Sequence, residues 1–338
     1  MFPGQSAQVA GMGEAAYNSS NEAKQIFFTA SEVIGEDIAE ICFGSQTDQL
    51  STSLVQPAIV ASELANYSVM RQNGLSPELM MGHSLGEIAA LGASGVLSIK
   101  DVFRVTKVRA EVTERSSQSN PGGMAAFVGL RSEQSAAIVG SVNNYFHKIG
   151  RASAGYMANR NWSLEQVMSG HEDAIDRARR VVELLRALKV IEKARLVKLK
   201  VPGAFHSPHN EDGVDEFHNI LASVHKNFPR VMLLNNQGEY MIDPNDFPDY
   251  YAHQLVKGVE WDLMMHQAAC DGVRDFTEVV LSPDPKRATL SNFVMKEFPN
   301  HTVIEQPFGR LVRINWMPSD SDEFMKNRQT ALTSLQEA

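Results

Sequence analysis

Residues 82–86 read Gly-His-Ser-Leu-Gly, set between the apolar run LMM and the helix-like stretch EIAALGASG. A serine inside a helix has no use for two flanking glycines. On a sharp strand-to-helix turn, however, small neighbours let the backbone bend and leave the hydroxyl exposed. The pattern therefore reads as a nucleophile elbow with Ser84 at its tip, a strand ending just before it and a helix starting just after. A chain with 23 glycines also produces such a match by chance. The hydroxyl accordingly needs partners elsewhere in the sequence.

A length of 338 residues allows roughly two domains with sizeable cores. A formal net charge of −9 argues against a broad basic field for nucleic acid, but leaves room for a local basic patch facing an acidic partner. The two cysteines, Cys42 and Cys270, lie far apart without histidines at ligand spacing. Neither a disulfide framework nor a metal site is indicated, and buried thiols in a reducing compartment are expected. No apolar run approaches the roughly 20 residues of a membrane span, and the start MFPGQSAQ does not read as a signal peptide. A cytoplasmic enzyme or binding protein fits this composition, with no membrane and no nucleic-acid role.

Element order gives the organisation. A helix is expected from Gln56 to Asn73, with Pro57 in its first turn and Gly74 beyond its end. LMM supplies a short buried strand, and a second helix follows Ser98 as N-cap. From about residue 122 to 200 the order becomes β-α-β-β-α-β, a ferredoxin-like unit inserted in something larger. Beyond it come the loop PGAFHSPHN, a helix near 211–226, the strand RVMLLNN, helical segments near 247–271 and the strand FTEVVL. One further helix is expected after about Asn315. Strands and helices alternating on both sides of the insertion suggest an α/β core with a largely parallel sheet.

A serine hydroxyl is a poor nucleophile until a base takes its proton. His171, His218 and His225 lie in helices rich in charged residues and read as surface groups. His206 instead follows a strand end in the loop GAFHSPHN, where α/β sheets place reacting groups; by itself it could equally be an exposed loop side chain. Arg109 stands inside the apolar stripe formed by Val102, Val105 and Val112. An arginine there must snorkel outward, enter an ion pair, or meet an anion, for which its planar fork suits a carboxylate.

Taken in order, FPGQSAQ at 2, QPAIV at 56, GHSLGE at 82, Arg109, EQVMSG at 165, GAFHSP at 203 and HQLVKGVEW at 253 resemble the malonyl-CoA:acyl carrier protein transacylase family. That family includes the acyltransferase domains of polyketide synthases. The resemblance runs from residue 2 to about 300. It implies a hydrolase-like α/β catalytic core over 1–121 and 201–338 and a ferredoxin-like subdomain over 122–200. It also implies Ser84 as nucleophile and His206 as its base, oriented by the backbone carbonyl of Gln254. The N–H groups of Gln5 and Leu85 would form the oxyanion hole. Arg109 would grip the malonyl carboxylate, and Phe205 resembles the bulky residue of malonyl-selective members. The expected reaction moves malonyl from malonyl-CoA to an acyl carrier protein, with no cofactor, by a monomer or a part of a synthase complex serving fatty acid or polyketide synthesis.

Several positions depart from the family. Ser6 stands where a glycine is usual, Thr113 and Glu114 replace a Met-Gln pair, and EVVLSPDP replaces EVGPG. A strand usually precedes FPGQ, and only Met1 does so here, so an open sheet edge is expected. Thr113 and Glu114 widen the alternatives to a substituted malonyl unit. A hydrolase clearing carrier proteins would have little use for Arg109, an ordinary esterase needs an acidic triad member that is not evident, and a noncatalytic docking module would not need all three site residues.

Overall fold

The computed structural model describes residues 1–44, 50–152, 154–282 and 284–316. The N-terminal part is helical: α1 (Glu14–Ser19), α2 (Asn21–Ile34), α3 (Ile38–Phe43) and α4 (Thr52–Gln72) precede strand β1 (Leu79–Met81). Next come α5 (Gly86–Ala93) and α6 (Ile99–Ser119). Every residue of α4 from Val55 to Met70 is buried. A helix enclosed on all faces is the centre of a core, and α2, α5 and α6 pack around it.

A second region comprises β2 (Gly123–Val128), α7 (Ser132–Lys148), β3 (Gly155–Trp162), β4 (Glu165–Gly170), α8 (Glu172–Ala187) and β5 (Arg195–Lys198). Its strands align in the order β5-β2-β4-β3, all antiparallel. One face of this sheet packs on α7 and α8 through Phe127, Val139 and Ile175. The other face presents Met124, Ala126, Ala158 and Val167 to Leu199, Val201 and Phe205.

The chain then forms a short 3-10 turn over Pro208–Gly213, α9 (Val214–Ser223), β6 (Met232–Leu234), β7 (Tyr240–Met241) and α10 (Phe247–His253). It continues with β8 (Val259–Glu260), α11 (Trp261–Cys270), β9 (Asp275–Val279), α12 (Thr289–Glu297), β10 (His301–Gln306) and β11 (Gly309–Ile314). The result is a mixed α/β protein.

The sheets are less parallel than the element order suggested. β1 pairs parallel with β6, and β3 with β8, but the remaining ladders are antiparallel. Short connections explain this, because core strands joined by tight turns, such as β6–β7 and β10–β11, can only pair antiparallel. The C-terminal unit of α12, β10 and β11 went unread in the sequence, and the helix expected after Asn315 falls largely outside the described residues.

The expected open edge is partly filled. Phe2 bridges Gly82 in parallel, while the Met1 carbonyl accepts from Val279 N–H and the Met1 amine donates to the Thr277 carbonyl. The first two residues thus join β9 to the end of β1. Helix α4 also starts earlier than expected, leaving Pro57 inside the helix rather than in its first turn. The cause is a tertiary cap: the Glu114 carboxylate accepts from the Ser53 N–H at 3.1 Å, satisfying an early helical donor.

The two glycines of the elbow have separate contacts to make. A Cβ on Gly82 would lie 2.1 Å from the Gly86 carbonyl carbon, and one on Gly86 would lie 2.2 Å from the Phe2 carbonyl oxygen. The missing side chains let strand end, helix start and N-terminal segment meet backbone to backbone. Gly86→Ala must push α5 away from Phe2 and should cost at least about 3 kcal/mol. Thermal unfolding followed by circular dichroism should show a midpoint lower by at least about 5 °C. An unchanged midpoint would show that the contact is dispensable.

Candidate active site

The turn between β1 and α5 holds Ser84 in the left-handed region at φ 54°, a strained conformation for a residue with a Cβ. Asn236, just after β6, fixes it from below. Its Oδ1 accepts from the Ser84 N–H at 2.9 Å, and its Nδ2 donates to the Gly82 carbonyl at 2.6 Å.

The Ser84 hydroxyl lies 2.7 Å from His206 Nε2. On the far side of the ring, Nδ1 lies 3.0 Å from the carbonyls of both Gln254 and Lys257. Two carbonyls can only accept, so the ring carries its proton on Nδ1 and leaves Nε2 free to accept the serine proton. Burial, with the Arg109 and His83 charges adding to it, pushes the His206 pKa from 6.5 down to about 3. The imidazole is therefore neutral across the physiological range, as a general base must be.

Arg109 reaches the same hydroxyl from α6. It is 4% exposed, and its Nη2 donates to Ser84 Oγ at 3.2 Å and to Gln254 Oε1 at 3.0 Å. Its Nη1 donates to Gln56 Oε1 at 2.8 Å, and its Nε is buried without a partner among the described residues. Burial lowers its pKa from 12.5 to about 10, with Glu87 opposing the shift, so the guanidinium keeps its charge. A buried cation whose named acceptors are all neutral, with two of its five N–H groups unused by them, is equipped to receive an anion.

The structure thus brings Ser84, His206, Arg109 and Gln254 into one network. Gln5, Phe205, Gln56, Thr113, Asn159 and Leu255 line the cavity that Ser84, His206 and Arg109 share. Leu85 caps α5 beside Ser84 and is fully buried. Among the described residues, neither the Gln5 N–H nor the Leu85 N–H donates to a protein acceptor. Thr113 does face the cavity, whereas Glu114 turns away to cap α4. His83 points elsewhere: its ring packs on Trp261 and bonds Asn161 at 3.1 Å. Of the histidines read as helical, His171 is the residue before α8 and His225 lies beyond α9.

Ser6, beside Gln5, adopts φ 86° despite being a serine, and its N–H donates to Gln8 Oε1 at 2.8 Å. The backbone there takes the conformation that a glycine would hold without strain.

Sequence reasoning missed Asn236, Glu87, Gln56 and the Lys257 carbonyl. Glu87 and Gln56 stood inside quoted motifs, but their residue types alone did not reveal the partners they meet. Among the described residues there is no cluster of three or more metal-ligating side chains, and no helix is long and apolar enough to cross a membrane.

Residues 1–285 match the family described as acyl transferase domain. The chain is 30% identical to a malonyl CoA-acyl carrier protein transacylase of Staphylococcus aureus over 269 residues, 77% of this chain and 83% of that protein. It is 26% identical to the Bacillus subtilis protein of that name over 281 residues, 82% of this chain and 85% of that protein. Its fold is similar to the crystal structure of an acyl carrier protein S-malonyltransferase from Vibrio cholerae, with TM-score 0.76 and 27% identity, covering 88% of this chain and 93% of that one.

The depressed His206 pKa has a stability consequence. Unfolded, His206 takes a proton as pH falls through 6.5; folded, it stays neutral until about 3. The unfolded state therefore binds more protons in that window, and stability falls as pH falls. Buried Glu87 and Asp262, both raised to about 7 by desolvation, act in the opposite sense, so the comparison must be with a variant. Between pH 6.5 and about 5.5, the wild type should lose about 1 kcal/mol more than His206→Ala in urea unfolding. Equal losses would mean that His206 titrates normally.

Proposed function

The chain belongs to the acyl transferase domain family, among its malonyl CoA-acyl carrier protein transacylases, and from that premise we propose that it moves malonyl from malonyl-CoA to the phosphopantetheine thiol of an acyl carrier protein. The observation that carries the choice of acyl group is the buried Arg109 guanidinium 3.2 Å from the Ser84 hydroxyl. A site for plain acyl groups has no reason to bury a cation beside its nucleophile.

The thioester enters with its free carboxylate toward Arg109. His206 Nε2 takes the Ser84 proton as Oγ attacks the thioester carbon. The resulting oxyanion lies against the N–H groups of Gln5 and Leu85, and the tetrahedral species collapses as His206 passes its proton to the departing CoA sulfur, which leaves as the thiol. The carrier thiol then gives its proton to His206 and attacks the seryl ester, and His206 returns that proton to Ser84 Oγ as the ester bond breaks. A thiolate is a good enough leaving group that the exchange calls on no metal or redox cofactor.

We read 122–200 as a ferredoxin-like subdomain inserted in a hydrolase-like core formed by 1–121 and 201–338, and the protein as cytoplasmic. The β5-β2-β4-β3 order with both helices on one face supports the first reading. The inner face of that sheet, with Phe205, walls the acyl cavity and crowds an α-branch. The Thr113 hydroxyl, 3.0 Å from Gln56 Nε2, adds a polar patch that a hydroxyl or amino substituent could use.

Incubated with malonyl-CoA and no acceptor, the protein should gain one malonyl mass by intact mass spectrometry, and Ser84→Ala should gain none. An adduct on the alanine variant would move the nucleophile elsewhere.

In competition at equal concentrations, malonyl should lead methylmalonyl and acetyl should come last. The malonyl-to-acetyl gap should be about 2–4 kcal/mol, the scale of leaving a buried charge unpaired. Arg109→Ala should close that gap mainly by losing malonyl. Acetyl outcompeting malonyl on the wild type would overturn the carboxylate role and favour an acyl hydrolase.

A further inference from the structure

Glu87 lies in the first turn of α5, is 2% exposed, and belongs to none of the steps above. Its two oxygens divide their work. Oε1 accepts from the Asn236 N–H at 2.8 Å and the Tyr250 hydroxyl at 3.1 Å, while Oε2 accepts from Gln254 Nε2. The Gln254 side chain is the link to the site. Its Nε2 also donates to the Ser84 carbonyl at 2.7 Å, and its Oε1 accepts from Arg109 Nη2 at 3.0 Å.

An amide has one acceptor end and one donor end, so its orientation is a two-way choice. Flipping Gln254 would set its oxygen against the Glu87 carboxylate and the Ser84 carbonyl, and its NH2 against the guanidinium. Ionised, above about pH 7, the Glu87 carboxylate can only accept and locks the amide with its oxygen toward Arg109. His206 is held by the Gln254 backbone carbonyl instead, so the base does not depend on which way the side chain points.

We propose that Glu87 is a positioning residue for acyl-group selection: by fixing the Gln254 amide it aims the Arg109 guanidinium at the free carboxylate of the substrate. This rests on the reading of Arg109 given above. Neutral Glu87→Gln is a sharp probe because the Asn236 N–H is a fixed backbone donor. The new side chain must offer its oxygen there and its NH2 to Gln254, donor facing donor. Gln254 then turns or withdraws, and Arg109 loses an acceptor.

The test measures acylation of Ser84 by malonyl-CoA and by acetyl-CoA in wild type, Glu87→Gln, Gln254→Leu and the double variant. In Glu87→Gln the malonyl-to-acetyl ratio of kcat/KM should fall by about 10- to 100-fold, chiefly through a higher KM for malonyl-CoA, because the lost contact is made in ground and transition states alike. Gln254→Leu should show the same collapse, and the double variant should show no further loss, since Glu87 acts through Gln254. A merely structural Glu87 would lower both substrates together and leave the ratio intact; that result overturns the proposal. If Glu87→Gln does not fold, Gln254→Leu alone decides, and a retained ratio there is equally fatal. A wild type that shows no malonyl preference instead removes the carboxylate role of Arg109 itself, a distinguishable failure.

Discussion

The arrangement of this site depends on one buried positive charge. Arg109 stands in an apolar stripe of α6 at 4% exposure, where a guanidinium survives only if its hydrogens find acceptors. Those acceptors come from three different elements: Gln56 on α4, Ser84 at the elbow and Gln254 after α10. The first gives the buried Gln56 amide of the central helix its role. None of the three is a carboxylate. Glu87 lies one amide further away, close enough to moderate the charge and too far to cancel it. The remaining field is what a carboxylated acyl group would neutralise.

The same charge acts on the base. Arg109 and burial together keep His206 neutral, and two backbone carbonyls, rather than an aspartate, hold its tautomer. An aspartate on Nδ1 would raise the imidazole pKa and pair with the imidazolium once it forms. Neutral carbonyls orient the ring without adding a negative charge beside Arg109. In a site proposed to receive a carboxylate, a second fixed anion would compete with the substrate for the guanidinium. The absence of a triad acid thus follows from the same demand that buries the arginine.

This logic also sets what the sequence could reveal. Ser84 was legible because two glycines at fixed spacing report close backbone packing, and Arg109 because a charge in an apolar stripe is conspicuous. His206 stood out by its place in a strand-end loop. Asn236 and Glu87 were not legible, since they sit 149 residues apart in sequence and meet only through tertiary contact. The Lys257 carbonyl left no trace because a backbone oxygen has no residue type. Strand direction was misjudged for a related reason: element order does not say which strands become neighbours. The early start of α4 depended on a cap 61 residues away.

Backbone strain ties these observations together. The described residues include five non-glycine positions in the left-handed region: Ser6, Ser84, Lys189, His206 and Phe308. Three of them, Ser6, Ser84 and His206, line one cavity. Each such position costs on the order of 1 kcal/mol and persists only where its surroundings over-determine it. At Ser84 the surroundings are the glycine contacts and Asn236; at His206 they are the carbonyls of Gln254 and Lys257. Strain at Lys189, on the remote end of α8, has no comparable frame and reflects an ordinary helix terminus. The concentration at the cavity follows from geometry: the Ser84 hydroxyl, the His206 ring and the loop carrying a proposed oxyanion donor converge from three separate chain segments. Regular helices and strands cannot turn that sharply, so the convergence is made by residues bent out of their preferred conformations and held there by packing.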